Sequence, residues 1–146
     1  MRWEFHRRQI VEREFRDLDE VLVWIDRNQL GRRNLTDQQR SIVRARLYEA
    51  RKRSPHRPLK NEKDANFSSF RGHDATAKEV AAETGVSWRT ILNDVKFKEA
   101  WEALHEISPK AAEAVLRGEV KDALTMLPKV PENALEFVAR KIEAVI

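Results

Sequence analysis

The residues from position 87 to position 96 include several side chains suited to contacts with nucleic-acid bases and phosphates. Arginine can donate two parallel hydrogen bonds to guanine, and the amide of asparagine can pair with adenine. Arg89 and Asn93 are four residues apart, so on one helix they share a face. Neighbouring hydroxyl and lysine side chains are suited to phosphate oxygens. The candidate contacts in this stretch are Ser87, Trp88, Arg89, Thr90, Asn93 and Lys96.

The sequence around these residues predicts a helix-turn-helix motif. The stretch that carries it, residues 77–96, is AKEVAAETGVSWRTILNDVK. Small Ala81 lies where the two helices would cross, Gly85 supplies the tight turn, and Ser87 is suited to cap the second helix. In this motif the second helix enters the major groove of duplex DNA. Lys78, on the first helix, is a further candidate phosphate contact.

Alternatives to DNA contact remain open for this segment. A helical hairpin with the same pattern can serve packing alone. Trp88 can stack on a sugar or a thymine methyl group, or it can pack under the preceding helix, whereas Leu92 is expected to pack. Ile91 and Val95, four residues apart, are expected to hold the second helix on its domain.

Composition limits the class of protein. The 146 residues, 41% hydrophobic and 36% charged, suffice for one ordinary domain or two very small ones. The absence of cysteine excludes disulfide scaffolds, thiol catalysis and cysteine-ligated zinc. Four glycines and abundant Ala, Glu, Arg, Lys and Leu predict a mainly α-helical chain. Neither a secretory signal nor an apolar run of roughly 20 residues is present, so we expect a cytoplasmic protein without membrane contact.

Enzyme chemistry finds little support in the sequence. The four histidines, at positions 6, 56, 73 and 105, are far apart and lack metal-ligand spacing. Phosphate-cradling glycine loops and nucleophile elbows are also missing. An acidic cluster at positions 17, 19 and 20 has a simpler explanation, because carboxylates are favoured at a helix N-terminus. The sequence therefore predicts a protein that is not an enzyme and that binds no metal or cofactor.

Positive charge is concentrated in the first third of the chain. Residues 1–53 carry 14 Lys and Arg against 9 Asp and Glu, a net charge of +5, whereas residues 97–146 carry 7 against 9, a net charge of −2. This asymmetry indicates a polyanionic partner for the front and protein contacts for the rear, although a solubilising surface has the same composition. The basic candidates for DNA contact outside the motif are Arg32, Arg33, Arg40 and Arg44.

Four segments are expected along the chain. Residues 1–53 contain one or two short strands and then two helices, and residues 54–74 form a linker rich in Pro, Ser and Asn. Residues 75–127 form the helix-turn-helix domain, and residues 128–146 form a C-terminal helix. The predicted fold class is mainly α, with a short α/β N-terminal remnant, a helix-turn-helix DNA-binding domain and a C-terminal helical segment. The strand candidates are Trp3, Phe5, Ile10, Val11 and Phe15.

Capping signals predict where the helices begin and end. Asp17 is suited to cap a helix from Leu18, which should end before Gly31 because glycine tolerates a positive φ. The sequence TDQQ at positions 36–39 has the form of a capping box for a helix that runs to about Lys52. Four arginines of that helix, at positions 40, 44, 46 and 51, are expected mostly outward.

Later in the chain, Ser108 and Pro109 form a helix start, with serine as the cap and proline in the first turn. Gly118 is expected to stop that helix. A last amphipathic helix should cover residues 132–146, after the two prolines at positions 128 and 131.

Two stretches resemble the ParB family, which includes plasmid partition proteins and ParB-type regulators. RNQLGRRNLTDQQRS, residues 27–41, resembles the family segment in which Glu-Asn-x-Gln-Arg precedes a Leu-Ser/Thr-Pro helix start. GVSWRTILNDVKFKEAWEAL, residues 85–104, resembles the GVS-x-x-T-V recognition helix and the helix after it. The similarity extends over residues 10–125. It implies a helical domain that binds a DNA site, and an N-terminal domain that in such proteins binds CTP or has a nuclease-like fold.

The chain departs from the family pattern near its N-terminus. The Gly-Glu-Arg-Arg-type nucleotide motif is absent, Arg27 stands where the family has Glu, and the Asn-to-Arg spacing also differs. Asn28, Arg32 and Arg33 are either remnants of a nucleotide phosphate site or a basic loop facing DNA or solvent, and we favour the loop. We therefore expect only the end of a ParB-like N-terminal domain, in a naturally short or truncated chain, without CTPase or nuclease activity.

Apolar residues repeat at helical spacing in the rear of the chain, at positions 116, 120, 124 and 127 and again at 135, 138 and 142. Such stripes form a core or an interface. One helix-turn-helix contacts few base pairs, so we expect a homodimer through residues 97–146 that engages two half-sites.

The function predicted from these features is sequence-specific binding of double-stranded DNA, in plasmid or mobile-element partition or in transcription regulation. The alternative is a helical protein–protein interaction module, such as an adaptor or an antitoxin-like partner, without specific DNA binding. A CTP-dependent clamp or nuclease would need the missing nucleotide motif.

Overall fold

Helices make up most of the chain that the structure describes. The structure is a computed structural model, and it describes residues 12–32, 34–53 and 65–146. The α-helices of these residues are α1 (Leu18–Leu30), α2 (Asp37–Arg53), α3 (Ala65–Thr84), α4 (Trp88–Ile107), α5 (Pro109–Leu116), α6 (Ala123–Met126) and α7 (Leu135–Glu143). Single turns of 3-10 helix at Leu127–Lys129 and Glu132–Ala134 connect α6 to α7. The mainly α fold predicted from composition is confirmed.

The predicted N-terminal strands fall mostly outside the described residues, since Trp3, Phe5, Ile10 and Val11 all lie there. Phe15 is described, and it lies in an irregular segment before α1. Its ring centroid is 5.9 Å from that of Trp24 on α1. An aromatic contact therefore holds Phe15, and no strand is formed by residues 12–32, 34–53 or 65–146.

Three helix starts are capped as the sequence predicts. Asp17 accepts a hydrogen bond from the backbone N–H of Glu20 at 2.8 Å and caps α1. At α2, the hydroxyl of Thr36 accepts from the N–H of Gln39 at 3.2 Å, and the Gln39 side chain accepts in return at 3.0 Å. Ser108 caps α5 by accepting from the N–H of Ala111 at 3.2 Å. These caps satisfy backbone donors that the first turn of a helix leaves unpaired.

Gly31 ends α1 as predicted, but the reason given for it is wrong. Its φ is −73°, in the right-handed region that every residue adopts. The helix ends there because the N–H of Arg32 turns back to the carbonyl of Gln29 at 2.9 Å. Nothing in the backbone conformation of this position requires glycine.

Helix α3 begins at Ala65, so residues 65–74 are helical and do not belong to the predicted linker. The rest of that linker, residues 54–64, lies outside the described residues. The prediction gave too much weight to weak helix breakers. Once a helix is nucleated, each added residue gains a hydrogen bond, and Ser, Asn or a single Gly costs at most about 1 kcal/mol.

Helix α4 is one continuous element of 20 residues. The recognition helix and the following helix expected for residues 85–104 are therefore not separate. The chain contains neither glycine nor proline between Gly85 and Pro109, so nothing in this stretch interrupts the helix. At 1.5 Å per residue, α4 is about 30 Å long.

Two apolar clusters lie along α4. The proximal cluster joins the first turns of α4 to α2 and α3, and its buried members are Leu47, Tyr48, Ala77, Val80, Ala81 and Ile91. The distal cluster joins the rest of α4 to the helices after it, and its larger buried members are Ile42, Phe97, Leu104, Val115, Leu127, Leu135 and Ile142. Helix α2 contributes to both clusters, so the segment predicted as an N-terminal domain packs on the same helix as α3.

The C-terminal apolar stripes are used inside the molecule. Leu127, Leu135 and Ile142 are buried in the distal cluster. The other stripe residues, Leu116, Val120, Leu124 and Val138, are half-buried against the same cluster. The stripes could form either a core or an interface, and these contacts show that they form part of the core.

A buried carboxylate fixes α4 against α2. Asp94 is only 5% exposed, although it lies on the helix that carries the candidate contacts. Its carboxylate accepts from the hydroxyl of Ser41 at 2.6 Å, from Nε of Arg44 at 2.6 Å and from Nη2 of Arg44 at 3.1 Å. A two-pronged Arg–carboxylate pair fixes both distance and orientation. The outward position predicted for Arg44 is therefore wrong, because a buried acid on α4 draws its guanidinium inward.

Lys98 makes a second link between the same helices, one turn further along α4. Its ammonium is 3.1 Å from Glu49 on α2 and 2.7 Å from Glu102. Burial alone lowers the pKa of Lys98, but hydrogen bonds and charges from Glu102 and Glu49 outweigh it, so the pKa is raised above 10.5. Lys98 is therefore charged and paired at neutral pH.

Replacing Asp94 by asparagine should strongly destabilise the protein. Asp94→Asn leaves the guanidinium of Arg44 largely buried without a counter-charge, a change that typically costs about 3–5 kcal/mol. Chemical denaturation followed by circular dichroism measures this change. Glu102→Gln removes an exposed partner of Lys98 and is the matched control, with an expected cost below about 1 kcal/mol. Equal losses in the two variants would contradict the special weight given to Asp94.

Candidate nucleic-acid interface

The turn between α3 and α4 depends on Gly85. Its φ is +71°, in the left-handed region that disfavours side chains. The N–H of Val86 donates to the carbonyl of Ala81 at 3.1 Å, which closes the end of α3. This hydrogen bond across six residues, with glycine at the left-handed position, is the Schellman ending of a helix. The tight turn predicted at Gly85 is thus present.

Ser87 begins α4 through its side chain. Its hydroxyl accepts from the N–H of Thr90 at 3.1 Å and lies 2.9 Å from the hydroxyl of Thr90. The capping role predicted for Ser87 is confirmed. Both hydroxyls are occupied locally, so in this structure Ser87 and Thr90 first serve the helix start.

The inner face of α4 packs on the proximal cluster. Ile91 and Val80 have no exposed surface, and Ala81 is buried where the two helices meet. Val95 and Leu92 are half-buried against the same cluster. The packing roles predicted for Ala81, Ile91, Leu92 and Val95 are confirmed. Together with Val80, these residues determine which face of α4 points outward.

Three polar side chains occupy the outer face of α4. Arg89, Asn93 and Lys96 are exposed and follow at intervals of four and three residues, so they lie along one face of the helix. Lys78, on α3, is also exposed. We call the face made by Arg89, Asn93 and Lys96 the polar face of α4. It begins immediately after the capped turn.

Trp88 has a packing role. It is half-buried against the proximal cluster, as one of the two alternatives for this residue requires. The guanidinium of Arg89 lies 5.3 Å from the centroid of its ring. Such a cation–π contact limits the orientations of the arginine side chain. Trp88 therefore packs between the proximal cluster and the side chain of Arg89.

The basic residues predicted outside the motif have different environments. Arg32 is exposed after α1, and Arg33 lies outside the described residues. Arg40 is half-buried, and its Nε is buried with no hydrogen-bond partner in residues 12–32, 34–53 or 65–146. The side chain of Arg44 is 14% exposed and paired with Asp94. The structure therefore leaves Arg32 and Arg40 without acidic partners among the described residues, and it gives Arg44 a structural position.

Sequence reasoning missed the acid that holds the end of α3. Glu83 pairs with Arg27 of α1 at 2.6 Å and with Arg51 of α2. This ion-pair cluster joins three helices next to the turn. The carboxylate lies 32 residues from Arg51 in the chain, so no local spacing rule could have indicated the pair.

A groove of about 280 Å³ lies between α1, α2 and the distal cluster, and Asp26 and Arg46 are in its wall. Partial burial raises the pKa of Asp26 above its usual value of 3.8, and the charge of Arg46 offsets part of this effect.

Within the described ranges, no group of three acidic, histidine or cysteine side chains is arranged to hold a metal ion. None of the helices in those ranges has the length and apolar character of a membrane span.

Comparison with known proteins gives no relative for this arrangement. No known protein family, curated protein or solved structure matches the chain. The resemblance to the ParB family therefore stays a prediction from residues 27–41 and 85–104.

Two glycine variants test the geometry of the turn. Gly85→Ala should destabilise the protein by about 1–2 kcal/mol, because alanine is strained at positive φ, although the new methyl group would meet no atom within 4 Å. Gly31→Ala is the control at negative φ and should stabilise by about 0.4–1 kcal/mol through the unfolded state. Thermal unfolding measures both effects. Similar changes in the two variants would show that the backbone at Gly85 is not left-handed.

The raised pKa of Asp26 predicts that replacing this residue by asparagine stabilises the protein, and that the stabilisation depends on pH. Because the folded pKa lies above the unfolded one, the folded state binds the proton more tightly, and stability falls as pH rises between those two values. The cost persists at neutral pH, so Asp26→Asn should raise Tm there. Below pH 3.8 the two proteins should melt alike. A lower Tm for the variant at pH 7 would mean that the charge of Asp26 stabilises the fold.

Proposed function

We propose that this protein binds double-stranded DNA at specific sequences, with α3 and α4 acting as a helix-turn-helix and the start of α4 lying in the major groove. The observation that supports this best is the polar face of α4, which begins directly after a capped turn. The opposite side of the same turns carries buried Ile91 and Asp94. The helix is thus held firmly while its polar side chains remain available.

Each side chain of the polar face has a distinct role in this proposal. Arg89 donates two hydrogen bonds to guanine, and Asn93 pairs with adenine. Lys96, one turn further along, neutralises a backbone phosphate, as does Lys78 on α3. Ser87 and Thr90 maintain the first turn of the helix and orient its N–H groups towards a phosphate. The contact of Trp88 with Arg89 preorganises the arginine before DNA is bound.

The biological setting that we propose is plasmid or mobile-element partition, or transcription regulation, as the resemblance to the ParB family implies. We also propose that two copies engage two half-sites, because one helix-turn-helix contacts few base pairs. The C-terminal stripe is used in the distal cluster, so a dimer through residues 97–146 would rely on the exposed apolar side chains left there. The larger ones are Ile107, Met126, Phe137, Val145 and Ile146.

A protein–protein interaction module is the second candidate, and helix α1 is the observation that favours it. None of its residues is buried. Leu18, Leu22 and Ile25 follow at intervals of four and three residues and are 71%, 49% and 39% exposed. In this alternative, an apolar face of a partner covers α1, and the polar face of α4 is ordinary solvated surface.

Alanine variants of the polar face separate base recognition from general attraction to DNA. On a duplex enriched by the protein from a randomised pool, Arg89→Ala or Asn93→Ala should cost about 1–3 kcal/mol and relax specificity. Lys96→Ala should weaken binding to enriched and random duplexes alike and reduce the salt slope by about 1. Fluorescence anisotropy between about 50 and 200 mM salt measures these effects.

Lys110→Ala, at an exposed position of α5, is the matched control and should leave both affinities unchanged. Equal losses for Arg89→Ala on the enriched and the random duplex would remove its role in base recognition. Failure of the wild-type protein to bind DNA at the lowest salt, together with tight binding of a protein partner through α1, would support the interaction module instead.

A further inference from the structure

A basic cleft lies beside the turn that precedes α4. It has a volume of about 450 Å³, and it lies between the end of α1, the first half of α2 and the end of α3. Its walls include Arg27, Gly31, Arg40, Arg44, Thr84 and Val86. Val86 is the residue before Ser87, so the cleft adjoins the N-terminal end of the proposed recognition helix. We call it the Arg40 cleft.

Among the described residues that line the cleft, one arginine, Arg40, has no ion pair with an acidic side chain. Arg27 is paired with Glu83, which also lines the cleft, and Arg44 is paired with Asp94. Within the described residues, Arg40 has neither an ion pair nor a side-chain hydrogen bond. Since a guanidinium stays protonated at every physiological pH, Arg40 keeps the Arg40 cleft positively charged.

The position of Arg40 is unfavourable without an acceptor. Its Nε is buried and has no hydrogen-bond partner in the described part of the chain. A buried N–H without an acceptor is costly, and such groups are rare in folded proteins. The planar fork of a guanidinium matches the oxygens of a phosphate group. An anion in the cleft would give the guanidinium of Arg40 an acceptor that the described residues do not provide.

We propose that the Arg40 cleft binds a phosphate of the DNA backbone, with Arg40 as its principal ligand. This inference rests on the proposed function, because the duplex that meets the polar face of α4 also passes the turn at Val86. The contact adds affinity for any sequence and fixes the register of the protein on the duplex. The end of α1 and the start of α2 then belong to the DNA-binding surface, together with α3 and α4.

Charge removal at Arg40 tests the proposal. Arg40→Gln should reduce the slope of log Kd against log salt by about 0.9. Between about 50 and 200 mM salt, the wild-type protein should then lose about three- to fourfold more affinity than the variant. Arg46→Gln is the matched control. Arg46 is an exposed arginine on the same helix, but it lines the groove that contains Asp26 and not the Arg40 cleft. Its slope should equal that of the wild type.

Single methylphosphonate substitutions in the enriched duplex locate the contact. Neutralising one phosphate per half-site should weaken DNA binding by the wild-type protein and by Arg46→Gln, but it should not weaken DNA binding by Arg40→Gln. Circular dichroism melts of the two variants verify that both are folded. An unchanged salt slope for Arg40→Gln, or equal sensitivity to every methylphosphonate in all three proteins, would overturn the phosphate site and leave the proposed function intact.

Inorganic phosphate distinguishes a free anion from a DNA phosphate. If the wild-type protein binds no DNA, the proposed function and this proposal fail together. Stabilisation by sodium phosphate over sodium chloride at equal ionic strength, seen for the wild type and Arg46→Gln but not for Arg40→Gln, would then identify the cleft as a site for a small phosphorylated ligand. That result would also contradict the DNA source proposed here.

Discussion

The buried carboxylate of Asp94 is the constraint on which the arrangement of this molecule depends. It lies on the same helix as the polar face, and its two oxygens are held by Ser41 and Arg44 of α2. Hydrophobic packing determines which face of α4 is buried, but apolar contacts have little directional preference and fix the exact position of the helix less closely. A hydrogen-bonded charge pair in a protein interior tolerates only a narrow geometry. The direction in which Arg89, Asn93 and Lys96 point therefore depends on this charge pair as well as on the packing of Ile91.

The features that could be predicted from the sequence are those that depend on residues a few positions apart in the chain. Asp17, Thr36, Ser87 and Ser108 each cap a helix by accepting from an N–H three residues away, so their signals are visible in short stretches. The inner face of α4 followed in the same way from its spacing. The candidate site was predictable to the same extent: Arg89, Asn93 and Lys96 are exposed because their positions on α4 are opposite Ile91.

The missed features come from residues far apart in the chain. Arg44 and Asp94 are separated by 50 positions, and Arg51 and Glu83 by 32. An arginine among other arginines on a polar helix face is normally solvated, and only the fold shows that Arg44 meets a buried acid. The start of α3 was missed for another reason, since helix propensities of single residues are small compared with the gain from extending a formed helix. Asp94 itself offered one clue, as a charged residue between the core positions of Ile91 and Phe97.

The continuity of α4 has a consequence for how the chain is organised. Ile91 lies in the proximal cluster and Phe97 and Leu104 lie in the distal cluster, so neither cluster is complete without the same helix. Fraying of α4 at one cluster removes support from the other, and the two clusters are expected to melt in one cooperative transition. The molecule is thus not a modular assembly of a front half and a rear half that could be cut apart or exchanged separately. Division of the chain anywhere within α4 would leave two fragments, each with an open core.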